Sequence, residues 1–176
     1  MAQKKYEKES RISKKEFPTD AENLLQKYLH DAKRIRFYKE TDSSKTSYEA
    51  KFKKHGKKYS VEFDINGILE DIEVEMNFNE LPDKVQETIS SYLKQNTKKY
   101  TIKKLQKQYY YKKDTDLIYL TEIAFNNGNS DFINYEIVIW RFQEKESGMA
   151  ELTFNKNGEF LTERPFAQAS YDHILY

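Results

Sequence analysis

The sequence predicts an α+β fold in which two tandem repeats, each a helix followed by an antiparallel meander, build one curved sheet covered on one face by two main helices. Three observations carry this expectation. EFPTDAENLLQKYL at residues 16–29 recurs as ELPDKVQETISSYL at 80–93. Each copy is followed by alternation of apolar and polar residues, the mark of strands with one buried face. SYEAKF (47–52) and YSVEFDINGIL (59–69) are answered by NYEIVI (134–139) and AELTFNKNGEF (150–160). A unit repeated within one chain packs as repeated units.

The first 15 residues are mostly charged, with Tyr6, Ser10 and Ile12 spaced as a short edge strand. Residues 16–79 form the first repeat. Pro18 suits the first helical turn, where its missing N–H costs nothing, and Thr19 with Glu22 has the spacing of a capping box. Strands are expected over Arg34–Glu40, Ser47–Lys54, Lys58–Ile65 and Leu69–Phe78, with turns at His55-Gly56 and Asn66-Gly67. Glycine there supplies the positive φ of a tight hairpin.

Residues 80–176 form the second repeat. Its hairpin lies further from its helix than in the first, which defines an insertion at 112–134. Within it DTDLIYLTEIAF (114–125) has an Asp start and near-helical spacing, predicting a short helix that ends at Asn127-Gly128, with a strand as the alternative. The segment 165–176 carries Phe166, Tyr171, Ile174 and Tyr176 and is expected to return to the sheet.

Helix, meander and an FDxNG-like hairpin, twice, resemble the PepSY-like group, whose fold is similar to that of the beta-lactamase inhibitor protein (BLIP-like). The residues carrying the resemblance are FPTDAENLLQKYL and YSVEFDINGILEDIEVEM in the first repeat, with ELPDKVQETISSYL, YTIKKLQKQY, NYEIVIW and ELTFNKNGEFL in the second. It spans residues 6–166. The resemblance implies an exported, non-catalytic module that binds a ligand or protein. It does not carry over an inhibitory loop, because no residue here matches one.

Composition narrows the function classes. Thirty basic and 29 acidic residues leave a net charge of +1, so no global field draws the chain to nucleic acid or an anionic membrane. The Lys/Arg-rich stretches 33–39 and 103–113 mix bases with rings as single-strand platforms do, but acidic neighbours are expected to neutralise them. No run reaches the roughly 18 apolar residues of a membrane span. Cysteine is absent, which removes disulfides, thiolate metal sites and cysteine nucleophiles. Ala2-Gln3 fits the remnant of a cleaved signal peptide, giving a periplasmic or secreted location, and a natural cytosolic start is the alternative.

His30, His55 and His173 lack any metal-ligand spacing, and no phosphate loop or nucleophile elbow occurs. No metal or cofactor is therefore expected, and no enzyme. The acidic strand LEDIEVEM is expected to place Ile72, Val74 and Met76 in the core and Asp71, Glu73 and Glu75 on a solvated face. Acid–base chemistry by Glu70–Glu75 is the enzymatic alternative.

The candidate site comes from transferring the register of the first repeat to the second. Tyr48, Ala50 and Phe52 mark the helix-covered side, which puts Tyr135, Ile137 and Ile139 in the core and Glu136, Val138, Trp140 and Phe142 on the uncovered face. Tyr110, Gln106 and Gln108 extend that face, with a bulge needed to reconcile Ile102 and Leu105. Trp is a favoured interface anchor, so Trp140, Phe142 and Val138 with these three are the candidate binding residues for a protein or peptide, or else a glycan. Two alternatives stand beside this: the insertion or the aromatic tail covers the patch, or the patch serves self-association in a structural envelope protein.

Overall fold

The computed structural model describes residues 7–42, 45–113, 115–142 and 147–166. Along them run β1 (Glu7–Ile12), α1 (Thr19–Leu29), β2 (Lys33–Asp42), β3 (Lys45–Lys54), β4 (Lys57–Asp64), β5 (Leu69–Glu75), α2 (Asp83–Asn96), β6 (Lys99–Tyr110), α3 (Leu117–Phe125), β7 (Ile133–Phe142), β8 (Gly148–Asn155) and β9 (Phe160–Pro165). The nine strands form one antiparallel sheet in chain order, so the α+β class holds. By compactness the chain divides into two units. One joins Glu7–Glu75 to Gln108–Phe132, and the other joins Met76–Lys107 to the described part of Ile133–Tyr176.

In the first unit, α1 buries Ala21, Leu25 and Tyr28, a spacing that keeps one stripe inward. Its start differs from the Thr19–Glu22 box expected above. Pro18 occupies the N-cap and Thr19 is already helical, so Thr19 is no longer in position to cap. The box forms one turn earlier, around the 3-10 turn Lys14–Glu16: Glu16 Oε2 accepts from Ser13 N (2.9 Å) and Ser13 Oγ (2.8 Å). Glu22 instead pairs with Lys14 at 2.8 Å. Phe17, between turn and helix, packs its ring on Phe37 at 4.7 Å and edge-on to Phe63 at 5.7 Å.

The meander follows the alternation. Phe52 stands opposite Tyr59 and Ala50 opposite Val61, and all four are at most 4% exposed. Lys54 and Lys57 close a two-residue turn in which His55 and Gly56 both have positive φ (49° and 80°), the twist that matches flanking strands. β5 stops at Glu75 rather than Phe78, because Phe78–Glu80 turns into the approach to α2.

The insertion forms a helix, α3, and belongs to this same unit. Asp116 caps it, its carboxylate accepting from Ile118 N and Tyr119 N. Asn127 (φ 52°) ends it, with Asn127 N bonded to Ala124 O and Gly128 N to Ile123 O, a left-handed helix stop. Phe125 stacks on Tyr28 at 4.0 Å and meets Tyr59 at 5.3 Å and Phe52 at 6.0 Å. Since Phe52 and Tyr59 belong to the side that α1 covers, α3 lies on that side as well.

The second unit uses the same local devices. Asn77 N and Nδ2 donate to Glu80 Oε2 (2.6 and 3.0 Å) ahead of Pro82, which caps α2. Val85, Ile89 and Leu93 form its buried stripe. On β7, Tyr135, Ile137 and Ile139 are buried, opposite Phe154, Leu152 and Ala150, as the transferred register predicts. The turn Asn155–Gly158 presses on α2: a Cβ on Gly158 would lie 3.0 Å from Val85 O. In the first unit Gly67 approaches α1 in the same way, 3.0 Å from Pro18 Cβ.

Candidate binding surface

On β7 and β8 the residues alternating with that core turn away from α2. Trp140 stands opposite Met149 and Val138 opposite Glu151. Val138 (4% exposed), Met149 (6%) and Phe166 (7%) form a small apolar cluster against which Trp140 packs. Phe166 is placed there by the backbone, its N–H donating to Met149 O at 3.0 Å. Val138 is therefore not part of an uncovered surface. Phe166, the first residue past β9, covers it.

What remains accessible is the outer part of the patch. Trp140 is partly buried, and Phe142, 44% exposed, meets it edge-on at 6.3 Å. Lys99 Nζ lies 5.4 Å from the Phe142 ring centre, within cation–π range. Beside the cluster Arg164 clamps Glu151 through Nε (3.3 Å) and Nη2 (3.0 Å). The arrangement is an apolar centre with a charged rim.

The other candidate residues go elsewhere. Gln106 is buried between Leu105 and Lys107, also buried, so β6 is covered on both faces at this point. Gln108 belongs to the first unit, where its Nε2 donates to Asp71 Oδ2 at 3.0 Å. Tyr110 is in that unit too, edge-on to Phe132 at 6.0 Å with Lys112 5.4 Å from its ring. Alternation assigns these side chains a face but does not say whether the face is open.

The acidic strand is corrected on the same ground. Asp71 is not solvated: its Oδ1 is buried without a hydrogen-bond partner. Burial, with the charges of Glu62 and Glu73, pushes its carboxyl well above the usual range. Glu70 pairs with Lys45 at 2.8 Å and Glu75 with Lys58 at 3.0 Å.

A second polar group was not legible at all. On the face of the first unit turned from α1, Glu9 (β1), Glu40 (β2) and Glu49 (β3) bring carboxylate oxygens within 4.8 Å of one another. The cation among them is the Lys51 ammonium, 3.1 Å from Glu9 Oε1 and 2.9 Å from Glu49 Oε2. Ser60 Oγ donates to Glu49 Oε1. Burial, then the charge of Glu49, pushes the Glu40 carboxyl up to about 10. Burial acts the same way on Glu49, but Lys51 and hydrogen bonds from Glu40 and Ser60 outweigh it and hold Glu49 below the usual range. Glu40 is thus held toward its neutral form and Glu49 toward its charged form. The residue types were visible, but the register that gathers them was not.

Of the histidines, His30 Nδ1 lies 2.9 Å from Asp31 Oδ1 and His55 is an exposed turn residue. His173, like Tyr6, Tyr171, Ile174 and Tyr176, lies outside the described residues. Among the described residues no helix is long and apolar enough to cross a membrane.

No family profile and no curated protein matches the sequence. Solved structures do. A DUF2874 family protein from Bacteroides ovatus is 15% identical over 85% of this chain and 87% of that one, with a TM-score of 0.56. A BLIP-like protein from Bacteroides fragilis is 17% identical over 85% and 86%, TM-score 0.53. A candidate periplasmic protein from Bacteroides eggerthii is 13% identical over 85% and 88%, TM-score 0.54. At such identities the likeness establishes the BLIP-like fold.

Proposed function

We propose that the chain is a non-enzymatic, PepSY-like binding protein of the periplasm or cell exterior that takes a protein or peptide on the strand face turned from α2, at Trp140 and Phe142. The observation that carries this reading is the half-open aromatic pair. Trp140 is anchored from beneath by Val138, Met149 and Phe166, while Phe142 stays 44% exposed under a lysine. A braced aromatic with a charged rim supplies contact area without a large ordering cost. The fold's likeness to a candidate periplasmic protein supports the location.

A structural role is the reading preferred for the acidic strand, because Glu70 and Glu75 are held in ion pairs with Lys45 and Lys58 and Asp71 turns a buried oxygen inward.

Capture from an envelope extract on immobilised wild-type chain, compared with Trp140→Ala and Phe142→Ala, tests the proposal. A specific protein or peptide held by the wild type and lost by both folded variants is expected. Equal capture by all three overturns it. Solution mass that rises with concentration and falls back on Trp140→Ala would assign the patch to self-association instead.

A further inference from the structure

β1 opens the sheet and, among the described residues, pairs with β2 alone, in a register running from Glu7 opposite Asp42 to Ile12 opposite Phe37. Within that register Glu9 stands directly opposite Glu40. Like charges directly opposed weaken a strand pair, and a buried carboxylate without a counter-charge costs far more. Lys51 answers part of this. From β3 its ammonium reaches past β2 to Glu9 (3.1 Å) while contacting Glu49 (2.9 Å), so one side chain ties the first strand to the third.

One ammonium does not balance three carboxyls where Glu40 and Glu49 are 9% and 5% exposed. The charged groups that share this face with Glu40 among the described residues include Glu9 and Arg11 from β1, Arg36 from β2, Glu49 and Lys51 from β3, and Glu62 from β4, which stands opposite Glu49. Lys51 is the base in ion-pair contact with Glu9 and Glu49. One strand further, Asp71 stands opposite Glu62, and the base that interacts with both is Lys45. With three carboxylates gathered within 4.8 Å and one ammonium in contact with them, a shared proton offsets the excess negative charge.

We propose that Lys51 and a proton held between Glu40 and Glu49 form a latch that fastens β1 to the sheet, and that losing this proton at alkaline pH releases β1 ahead of the rest of its unit. The raised Glu40 carboxyl fits this geometry. The folded chain keeps a proton that the unfolded chain gives up near about pH 4.3. Latch stability is therefore greatest below that pH and falls as pH climbs toward about 10. Release would bare the backbone N–H and C=O groups of β2, a template for an added strand.

Amide hydrogen exchange, corrected for intrinsic rates, reads the latch in the whole chain. Protection of β1 amides relative to β3 is expected to fall at least about tenfold between about pH 6 and about pH 10. In Glu40→Gln, whose amide donates the same bond without ionising, that ratio is expected to stay constant. In Lys51→Met it is expected to be low already at neutral pH. A flat ratio in the wild type, or a Glu40→Gln ratio falling in step with it, overturns the proposal. Should the variants not fold, the assigned carboxyl carbon of Glu40 in the wild type decides: a neutral-acid shift at neutral pH supports the latch and a carboxylate shift overturns it.

Discussion

The ring of Phe125 lies against that of Tyr28 with centroids 4.0 Å apart and planes 25° from parallel, so a residue of the insertion completes a core begun by the first helix. The Tyr28 hydroxyl donates to Thr121 Oγ1 at 3.1 Å, and Tyr59 donates to Phe125 O at 3.4 Å. Because Phe125 also contacts Phe52 and Tyr59, Phe125→Ala leaves a cavity bounded by three elements. It is expected to cost about 3–5 kcal/mol in urea unfolding.

Gly158 and Gly56 share nearly the same φ, +81° and +80°, but only Gly158 is crowded, a Cβ there meeting Val85 O at 3.0 Å while Gly56 has nothing within 4 Å. Alanine at Gly56 carries the left-handed penalty alone, about 1–2 kcal/mol. Alanine at Gly158 adds displacement of α2, and its unfolding free energy is expected to drop by a further 1 kcal/mol or so. Equal losses would show that the turn does not press on the helix.

Asp71 makes a pH-dependent cost. Its carboxyl is pushed up by burial and neighbouring acids, so the folded state binds a proton that the unfolded state releases, and stability falls as pH rises above the usual carboxylate range. Asp71→Asn is expected to melt higher than the wild type at neutral pH, with the gap closing below about pH 4. Thermal melts across that range check it.

Stability and binding separate within the aromatic patch. Phe142 is 44% exposed and Val138 4%, so Phe142→Ala is expected to change unfolding free energy by less than about 0.5 kcal/mol, against about 2 kcal/mol for Val138→Ala. For Trp140→Ala, an affinity loss of about 2 kcal/mol or more is expected toward the captured partner.

The helices, hairpins and buried positions of β7 were legible because each rests on a local signal: Pro18 and Pro82, the turn glycines, and strict alternation at 135–139. α3 was legible from Asp116 and Asn127-Gly128 on the same basis. Its packing partner was not, since a helix's periodicity shows which side is buried but not against what. The same limit explains Asp71, Gln106 and Val138. Alternation sorted them to the polar side, and only tertiary packing decides that Gln108 seals one and Phe166 another. Thr19 failed as a cap because the helix begins one residue earlier than the spacing implied, with Pro18 at the N-cap and Thr19 already helical.

The placement of α3 also sets an order of assembly. Phe125 follows Tyr28, Phe52 and Tyr59 with all of α2 and β6 between them in the chain, so their shared apolar floor stays wet until that later segment has folded back. A fragment ending after β5 would leave this floor bare and prone to association.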